Sequence, residues 1–462
     1  MVNVVMVANY EETIEYRIAA IEPLSGMILS VKGCEGYRLP RIRIPKWTRH
    51  AEEINDLLHS EWQLSTLVLS IKQSLDGRPS WAIVELLGRV ETETPNGLTL
   101  IGIELLTESE LDPAERTSLA NCRSGEMLAS GPFACCGWLD EALSWIRKSL
   151  PHREVDLDGE LRQFSAGGTS ALLRFSTSTG YSYWLKATGK QNQREGVLTV
   201  ELSKLFPEYL PKLIAYRQDW NAWLMEDAGR PLGGIQNLQL LSLAVKNLAG
   251  LQIKSLKHIG RLQAAGCMGR PLESLQHHLT EMFTFLEVAM QHQISTKAKP
   301  LEPSRLREIQ AVVEVACRRM DELQIPDCIV NGDINLDNIL FDGSRISFTD
   351  WAEGGIGNPF ITFQQLLQHV TREGEHIDWV QPLCEVYKTS WLALLTSNQI
   401  DIALLLAPLL TIADYLHARG DWLTSGRRDD QGFQGFARTL ARCMDRAANE
   451  LLSRKALEGC AC

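Results

Sequence analysis

The chain has 462 residues, enough for about two to four structural units with a large buried core. Its composition, 45% hydrophobic and 22% charged, is ordinary for a soluble globular protein and excludes a low-complexity chain. The net charge of −11 argues against a nucleic acid or an anionic membrane as the partner. An acidic chain is compatible with a cationic small molecule, although the need for solubility is the better explanation of the charge.

The sequence shows no secretory signal, since MVNVVMVANYEETIEY lacks a basic start and contains early Glu residues. The longest apolar run, residues 402–413, contains Pro408 and Thr411 and is too short to span a bilayer. Eleven cysteines without a C-x-x-C pair favour reduced thiols over disulfides or structural zinc, and the ten histidines show no metal-binding spacing. We therefore expect a cytoplasmic protein.

Residues 1–130 are predicted to form a separate α/β domain. Hydrophobic alternation in EYRIAAIEP and GMILSVKG predicts two strands, and a helix is expected over residues 50–62. The segments STLVLSIKQ and SWAIVELLG predict two more strands. We interpret this domain as a non-catalytic cap or regulatory unit whose role is unknown. Residues 131–154 then form a connecting segment with a helix over about 138–150.

Residues 155–230 show the pattern of a nucleotide-binding lobe. The sequence ELRQFSAGGTSALLRFSTSTGYSYWLKATG predicts three strands, with a turn of small residues between the first two. Gly167 and Gly168 would let backbone N–H groups approach phosphate, and the Thr169 hydroxyl could donate to it. Such a turn is also common in ordinary hairpins, so its weight comes from the lysine that follows downstream.

Lys186 ends the third of these strands, where a lysine is rarely buried without a partner. We expect Lys186 to contact nucleotide phosphates and to pair with a carboxylate of the next helix, Glu195 or alternatively Glu201. The competing interpretation is an edge-strand lysine that faces solvent. Two further strands are expected in LPKLIAYRQDWNAWLMEDAG, and residues 231–462 are expected to be largely helical.

The stretch with the clearest chemistry is residues 329–353, IVNGDINLDNILFDGSRISFTDWAE. Asp333 precedes Asn338 by four intervening residues, and a short predicted hairpin then leads to Asp350. A hairpin centred near Ser344 would place Asn338 directly opposite Asp350. Such oxygen ligands suit Mg²⁺, which takes few protein ligands and completes its shell with phosphate and water.

The order Asp, four residues, Asn and then a second Asp is the catalytic arrangement of kinases. In that arrangement one Asp orients the attacking hydroxyl, while the Asn and the later Asp hold metal. The motif alone also occurs by chance in turns rich in Asp and Asn. Here an apolar strand precedes it and predicted hairpin strands at 339–341 and 346–348 follow it. Phosphoryl transfer is therefore the favoured interpretation.

The string VNGDINLDNILF followed by FTDWAEGGIGNPF resembles the aminoglycoside phosphotransferase and choline kinase-like family of small-molecule kinases. The pattern of that family is close to HGD, four residues, N, then an IDW or TDW step and a G-D/N-P. The family's His is Asn331 here, and the Asp that usually follows the G-D/N-P step is absent. We expect Asn331 to hydrogen-bond the loop in place of the His. The resemblance covers roughly residues 155–425.

The resemblance implies a two-lobed protein-kinase-like fold of the α+β class, with a small β-rich N-lobe and a large helical C-lobe. The N-terminal α/β domain would be an addition to it. Asp333 would accept or orient the hydroxyl proton of the acceptor, Asn338 and Asp350 would bind Mg²⁺, and Lys186 would neutralise phosphate charge. The second strand of the LPKLIAYRQDWNAWLMEDAG segment would lead to the hinge that binds the base, which gives Met225 and Asp227 as nucleotide-binding candidates.

The implied activity is transfer of the γ-phosphoryl group of ATP or GTP to a hydroxyl of a small molecule. The acceptor could be an aminoglycoside, another antibiotic, an amino sugar or an amino alcohol. In this family the acceptor pocket is often lined with carboxylates. The candidates here are Glu353, Glu373, Glu375, Asp378 and Asp414, with His417 nearby. Each of them is explained as well or better as a solvated surface charge. The alternative function is a nucleotide-binding pseudokinase or regulatory scaffold. The oligomeric state is left open.

Overall fold

The computed structural model describes residues 12–454 with the exception of 35, 74–78, 89–96, 126–129, 151–160, 168–169, 178–179, 236 and 372–374. These residues form two compact units of the α+β class, as predicted. The first unit comprises residues 12–203 and 211–228, and the second comprises residues 204–210 and 229–454. Every cysteine within the described ranges is a free thiol.

The first unit is rich in strands. Its strands are β1 (Thr13–Ile21), β2 (Ile28–Gly33), β3 (Gly36–Arg38), β4 (Arg41–Pro45), β5 (Thr66–Lys72), β6 (Ser80–Leu86), β7 (Leu98–Ile101), β8 (Arg162–Ser165), β9 (Ser170–Ser176), β10 (Ser182–Thr188), β11 (Leu213–Arg217) and β12 (Ala222–Glu226). Its helices are α1 (His50–Trp62), α2 (Pro113–Ser124), α3 (Trp138–Ser149) and α4 (Gln193–Leu205).

A mixed sheet of seven strands, β1 to β7, is built around β1, which pairs in parallel with β6 and antiparallel with β2 and β4. Alternate residues of a strand point to opposite faces. Ile18 therefore belongs to the apolar cluster that includes α1, while Ala19 belongs to a cluster on the other face. Both faces of β1 are buried, which explains its nearly continuous apolar sequence.

Strands β8 to β12 form an antiparallel sheet in the order β11-β12-β10-β9-β8. Its apolar residues Leu173, Phe175 and Leu185 belong to the same cluster as Ile21 and Trp81 of the seven-stranded sheet. The two sheets of the first unit thus share one core. The predicted division of the chain into domains at residues 1–130, 131–154, 155–230 and 231–462 stays a prediction.

Helix α3, predicted as a connector, contributes to this shared core. Its Trp138 and Trp145 lie with their ring centroids 5.9 Å and 6.4 Å from that of Trp220. Trp138 and Trp220 are 4% and 6% exposed. Aromatic contacts of this kind bury large apolar areas, so α3 fastens the region around β11 and β12 to the rest of the unit.

The second unit is mainly helical. Its strands are β13 (Arg230–Pro231), β14 (Met268–Arg270), β15 (Cys328–Asn331), β16 (Ile339–Phe341), β17 (Ile346–Phe348) and β18 (Gly354–Gly357). Its helices are α5 (Leu238–Ser255), α6 (Ile259–Ala264), α7 (Leu272–Gln291), α8 (Pro303–Glu322), α9 (Pro359–Val370), α10 (Val380–Trp391), α11 (Ser397–Arg419), α12 (Ser425–Arg428) and α13 (Gln431–Ser453).

Two small sheets hold the loops that matter for chemistry. β18 lies between β14, to which it is parallel, and β15, to which it is antiparallel. β16 and β17 form a hairpin, and β13 pairs with β16. The helices pack around these sheets and carry most of the core of the second unit.

Helix α11 contains the apolar run noted in the sequence. Within the described ranges it is the one helix with the length and hydropathy to cross a membrane, and 56% of its apolar window is buried inside the structure. It packs against α8, α9 and α13, which identifies it as a core helix of this unit. A capping box of Thr396 and Gln399 starts it, and Gly420 with φ +63° ends it.

Candidate active site

Asn331, at the end of β15, connects the two halves of the predicted catalytic stretch. It is 3% exposed. Its Oδ1 accepts a hydrogen bond from the backbone N–H of Asp333 at 3.0 Å. Its Nδ2 donates to the backbone oxygens of Thr349 at 3.2 Å and Asp350 at 3.0 Å. The expected hydrogen bonding of Asn331 to the loop is confirmed, and one buried amide ties Asp333 to the segment that carries Asp350.

The loop between Asp333 and Asn338 is closed by its own asparagines. Asn335 Oδ1 accepts from the backbone N–H groups of Asp337 at 2.9 Å and Asn338 at 3.1 Å, which starts a short 3₁₀ turn. Asn338 Nδ2 donates to the backbone oxygen of Asp333 at 2.9 Å and to its Oδ2 at 3.4 Å. The five-residue spacing therefore brings the Asp333 carboxylate and the Asn338 amide into contact.

The hairpin that follows has the predicted strands and a different register. Ile339 pairs with Phe348, and the backbone N–H of Thr349 donates to the backbone oxygen of Asn338 at 3.0 Å. Thr349, and not Asp350, lies opposite Asn338. The prediction that Asn338 faces Asp350 is wrong by one residue, because the turn is centred between Gly343 and Ser344.

Asp350 itself has a strained backbone, with φ +59° in the left-handed region. Such conformations of residues other than glycine persist only where the surroundings hold them. Here Asn331 holds the Asp350 carbonyl, and the next residue, Trp351, is 2% exposed and donates from Nε1 to the Phe348 oxygen at 3.3 Å. A polar residue fixed in this way is typical of a functional position.

Lys186 and Glu195 form an ion pair in the first unit. Lys186 Nζ lies 2.6 Å from Glu195 Oε1, and the two side chains are 12% and 1% exposed. Glu195 comes from the first turn of α4, which makes it the partner that the sequence favoured over Glu201. The Lys186 ammonium also lies 5.7 Å from the ring centroid of Trp223. A lysine oriented in this way presents one fixed positive charge.

The glycine turn between β8 and β9 is described in part. Gly167 has φ +130°, a conformation that favours glycine. Gly168 and Thr169 lie outside the described residues. Ser165 Oγ and Ser170 Oγ are 3.4 Å apart at the two ends of the turn.

Met225 and Asp227 lie at the end of the antiparallel sheet. Met225 is 8% exposed in β12 and pairs with Trp184 of β10. The backbone N–H of Asp227 donates to the Ser182 oxygen at 3.1 Å. Arg174 Nε donates to Asp227 Oδ2, also at 3.1 Å. The Asp227 carboxylate therefore has a structural partner in the sheet.

No family model and no curated protein sequence matches the chain. Solved structures do. A choline kinase from Cryptosporidium parvum has 16% identity and a TM-score of 0.50, with 69% of this chain and 97% of that chain covered. An ethanolamine kinase from Plasmodium vivax has 17% identity and a TM-score of 0.46, with coverage of 73% and 95%.

The chain has a choline kinase-like fold. At 16% identity, the similarity to the choline kinase shows the fold alone.

In this choline kinase-like fold, negative charge is concentrated around Asp333. The residue is open to solvent, yet partial desolvation raises the pKa of the Asp333 carboxyl above its ordinary value, and the charges of Glu353 and Asp350 raise it further. A bound cation would offset this repulsion. Among the residues that the structure describes, no three His, Cys, Asp or Glu side chains form a metal-binding group. A site made by Asp350 and Asn338 needs only two protein oxygens, which fits Mg²⁺.

Arg270 is a residue beside the catalytic stretch that the sequence did not indicate. It ends β14, and its guanidinium packs so closely on Gly332 that a Cβ at that position would overlap it. Arg270 Nη2 lies 3.5 Å from Glu353 Oε2, and the arginine side chain is 19% exposed. Gln365 of α9, equally unexpected, donates from Nε2 to the Gly332 oxygen at 2.8 Å. These contacts place the positive charge of Arg270 and the hydrogen-bonded carbonyl group of Gly332 directly before Asp333.

Asp414 and His417 of α11 belong to the same charged cluster. Burial raises the pKa of Asp414 to about 6, although Arg270 opposes the shift. Burial, together with His278 and Arg270, lowers the pKa of His417 to about 4. His417 Nε2 lies 3.4 Å from His278 Nδ1.

Of the other acceptor candidates, Glu375 and Asp378 are exposed in the turn before α10, and Glu373 lies outside the described residues. The structure therefore favours Glu353 and Asp414 as the carboxylates nearest the catalytic loop.

Proposed function

We propose that the protein is a small-molecule kinase that transfers the γ-phosphoryl group of ATP or GTP to a hydroxyl of a small, amine-bearing acceptor. The observation that carries the proposal is the Asn331 network, which ties Asp333 to the segment of Asp350, with Asn338 in contact with Asp333. Phosphoryl transfer demands mainly positioning and stabilisation of negative charge, and these residue types supply both.

Asp333 accepts or orients the proton of the acceptor hydroxyl. Its carboxylate is held at the loop by Asn338 and by the backbone contacts of Asn335 and Asn331. Its raised pKa makes it a better proton acceptor than an ordinary surface aspartate. The hydroxyl oxygen then attacks the γ-phosphorus as the bond from that phosphorus to the bridging oxygen of the nucleotide breaks.

Asn338 and Asp350 hold Mg²⁺ in this proposal. Held by these two side chains, a bound Mg²⁺ would supply positive charge to offset the negative charge that develops during transfer. The role of the chain is to fix the two ligands, through the contact of Asn338 with Asp333 and the strained backbone of Asp350.

The nucleotide is held by residues of the first unit. Lys186, oriented by Glu195, neutralises phosphate charge. The segment of Gly167, Gly168 and Thr169 is proposed to receive phosphate oxygens, while Met225 and Asp227 mark the segment that meets the base. Backbone recognition of the base is compatible with either ATP or GTP.

The acceptor carries a cationic nitrogen. Glu353 lies next to the catalytic loop with 55% of its side chain exposed, so it is available to an ammonium group. The choline kinase with the same fold is named for an acceptor that has both a hydroxyl and a cationic nitrogen. The acidic cluster around Asp333 suits such a molecule.

The test is a coupled assay of ADP or GDP release, with ATP and GTP each offered to aminoglycosides, amino sugars and amino alcohols. We expect turnover that depends on the acceptor and on Mg²⁺. Asp333→Asn should lose this turnover while it keeps nucleotide binding, since the substitution removes the proton acceptor and preserves shape. Tight Mg²⁺-dependent nucleotide binding with no turnover on any acceptor would instead favour a nucleotide-binding scaffold.

A further inference from the structure

A cavity of about 970 Å³ lies within the first unit. None of the residues proposed above for phosphoryl transfer lines it. Its walls come from α1, from the ends of β5 and β6, from the N-terminus of α3 and from β8. The volume is within the range of small-molecule pockets, about 300–1,000 Å³. The cavity is therefore large enough for an organic ligand and larger than a single metal ion needs.

The charges that line this cavity are strongly unbalanced. Among the described lining residues the only arginine is Arg162, which forms an ion pair with Glu52 at 3.2 Å. Four further carboxylates line the cavity: Glu22, Asp56, Glu85 and Asp140. Glu52 and Asp56 stand four residues apart on α1 and so share one face of that helix. The cavity thus favours a cation.

An acidic lining is common on acidic proteins and does not by itself indicate a binding site. The environment of Glu85 is a separate observation that points to a bound cation. Glu85 is 4% exposed at the end of β6. Its Oε1 accepts from the backbone N–H of Gly137 at 2.9 Å, whereas its buried Oε2 has no hydrogen-bond partner among the described residues. Burial raises the pKa of Glu85, and the nearby charge of Asp140 raises it as well. A buried oxygen without a donor is unfavourable and calls for a partner.

Another part of the lining is held in place by hydrogen bonds. Gln163 of β8 is 6% exposed and exchanges two hydrogen bonds with the backbone of Val68, each at 2.8 Å. Asn55 of α1 donates to Gln163 Oε1 at 3.0 Å. The half-buried Leu87, Leu143 and Leu161 add apolar surface to the lining. A ligand with both a charged and an apolar part matches these walls.

We propose that this cavity binds a small organic cation, whose ammonium group is held by Glu85 and Asp140 and whose apolar body packs on the leucines of the lining. The ammonium would donate to Glu85 Oε2 and neutralise the repulsion between the two carboxylates. The leucines favour an alkyl or cyclic amine over a bare metal ion. This site does not rest on the proposed kinase activity and holds for a scaffold protein as well.

The test is isothermal titration calorimetry of the full chain with hexamethylenediamine as the probe and hexanediol as its neutral counterpart. We expect the diamine to bind and the diol not to bind. Asp140→Asn should weaken diamine binding about tenfold or more, because a hydrogen-bonded charge pair is lost. Asp56→Lys, an exposed change at the rim, should weaken it as well by adding a positive charge.

The matched control is Glu141→Gln, which removes an exposed carboxylate from the same turn of α3 but does not line the cavity. We expect its affinity to equal that of the unchanged protein. Glu85→Gln keeps the acceptor for Gly137 and should also weaken binding. Diamine affinity that is the same in Asp140→Asn, Asp56→Lys and Glu141→Gln would place the diamine elsewhere and overturn the proposal. Failure of the unchanged protein to bind millimolar diamine, or binding of Ca²⁺ alone, would overturn it too.

Discussion

At the scale of single residues, Asn331 determines the geometry of the candidate active site. It makes one hydrogen bond to the Asp333 loop and two to the Asp350 segment, and it is almost fully buried. Because Asn331 hydrogen-bonds to two loops at once, a water molecule in its place would leave one of the two loops without a fixed partner. The position therefore controls how Asp333 and Asp350 are placed relative to each other.

We predict that Asn331→Ala lowers kcat by about tenfold to a hundredfold, because small displacements of reacting groups have effects of this size. The free energy of unfolding should fall by about 1–3 kcal/mol, since buried polar groups lose their partner. Steady-state kinetics and chemical denaturation measure the two effects. Asn331→His, with one ring N–H donor, should recover part of the activity. An alanine variant with unchanged kcat would show that the network does not position the site.

Asp414 allows a prediction about pH. Its pKa is raised to about 6, so the folded state binds its proton more tightly than the unfolded state does. The stability that this carboxyl contributes is present at pH values below the ordinary pKa of Asp and is lost as the pH rises through about 6. Asp414→Asn, which mimics the protonated form, should therefore stabilise the protein by about 1–2 kcal/mol above pH 7.

The gain from Asp414→Asn should vanish as the pH falls toward 4, which thermal unfolding at several pH values will show. Asp401→Asn is the control, because Asp401 lies on the same helix with 55% of its side chain exposed and pairs with Lys388. It should bring no gain in stability at any pH. A destabilised Asp414→Asn protein at pH 8 would mean that the electrostatic attraction of Arg270 outweighs the effect of burial.

Residues such as Arg270 show why the sequence revealed only part of the site. The spacing of Asp333, Asn338 and Asp350 is local and could be recognised as a motif. Arg270 comes from β14, about sixty residues earlier, and reaches Gly332 because β14 and β15 both pair with β18. No local pattern encodes such a contact between distant segments, since it depends on which strands pair.

At the scale of secondary-structure elements, the boundaries of α1 and of the β16–β17 strands were predicted correctly. α1 runs from His50 to Trp62 because Ala51, Ile54 and Leu58 form one apolar face, and it ends where Gln63 turns left-handed. The hairpin register was missed by one residue. Register follows from the turn, in which Asp342 Oδ1 accepts from the backbone N–H groups of Ser344 and Arg345, each at 2.8 Å, and such contacts are not visible in hydrophobic alternation.

The hairpin also depends on a close approach of the backbone at Gly229. This residue has φ +92°, and a Cβ there would overlap the backbone of Phe341 and Asp342. We predict that Gly229→Ala separates β13 from β16 and lowers the free energy of unfolding by about 2 kcal/mol or more. Chemical denaturation measures the loss, and turnover in the acceptor-dependent assay should fall because β16 directly follows Asn338.

Gly343→Ala is the matched control for Gly229→Ala. Gly343 also has a positive φ, of +101°, but nothing lies within 4 Å of a Cβ built on it. Gly343→Ala should therefore lower the free energy of unfolding only by the conformational cost, about 1 kcal/mol. Its activity should be largely retained. Equal losses in the two variants would show that the approach of Gly229 to Phe341 is not tight.

At the scale of the whole molecule, the chain has an N-terminal region that the sequence suggested as a separate domain. In the structure the sheet of β1 to β7 and the sheet of β8 to β12 share an apolar cluster, to which α3 adds Trp138. The sequence could show the strands of each region but not that their apolar faces meet, because alternation identifies a buried face and not what covers it.

We predict that a chain beginning at residue 131 does not fold. Without β1, β5 and β6, the residues Leu173, Phe175 and Leu185 lose the apolar partners of their common cluster. Exposure of a surface of that kind leads to aggregation. A chain beginning at Glu12 is the control and should behave like the full protein. Size-exclusion chromatography and circular dichroism distinguish the outcomes. A chain from residue 131 that is monodisperse and unfolds cooperatively would mean that the N-terminal region is an independent module, as its sequence alone suggested. It would also mean that the shared cluster contributes little to stability.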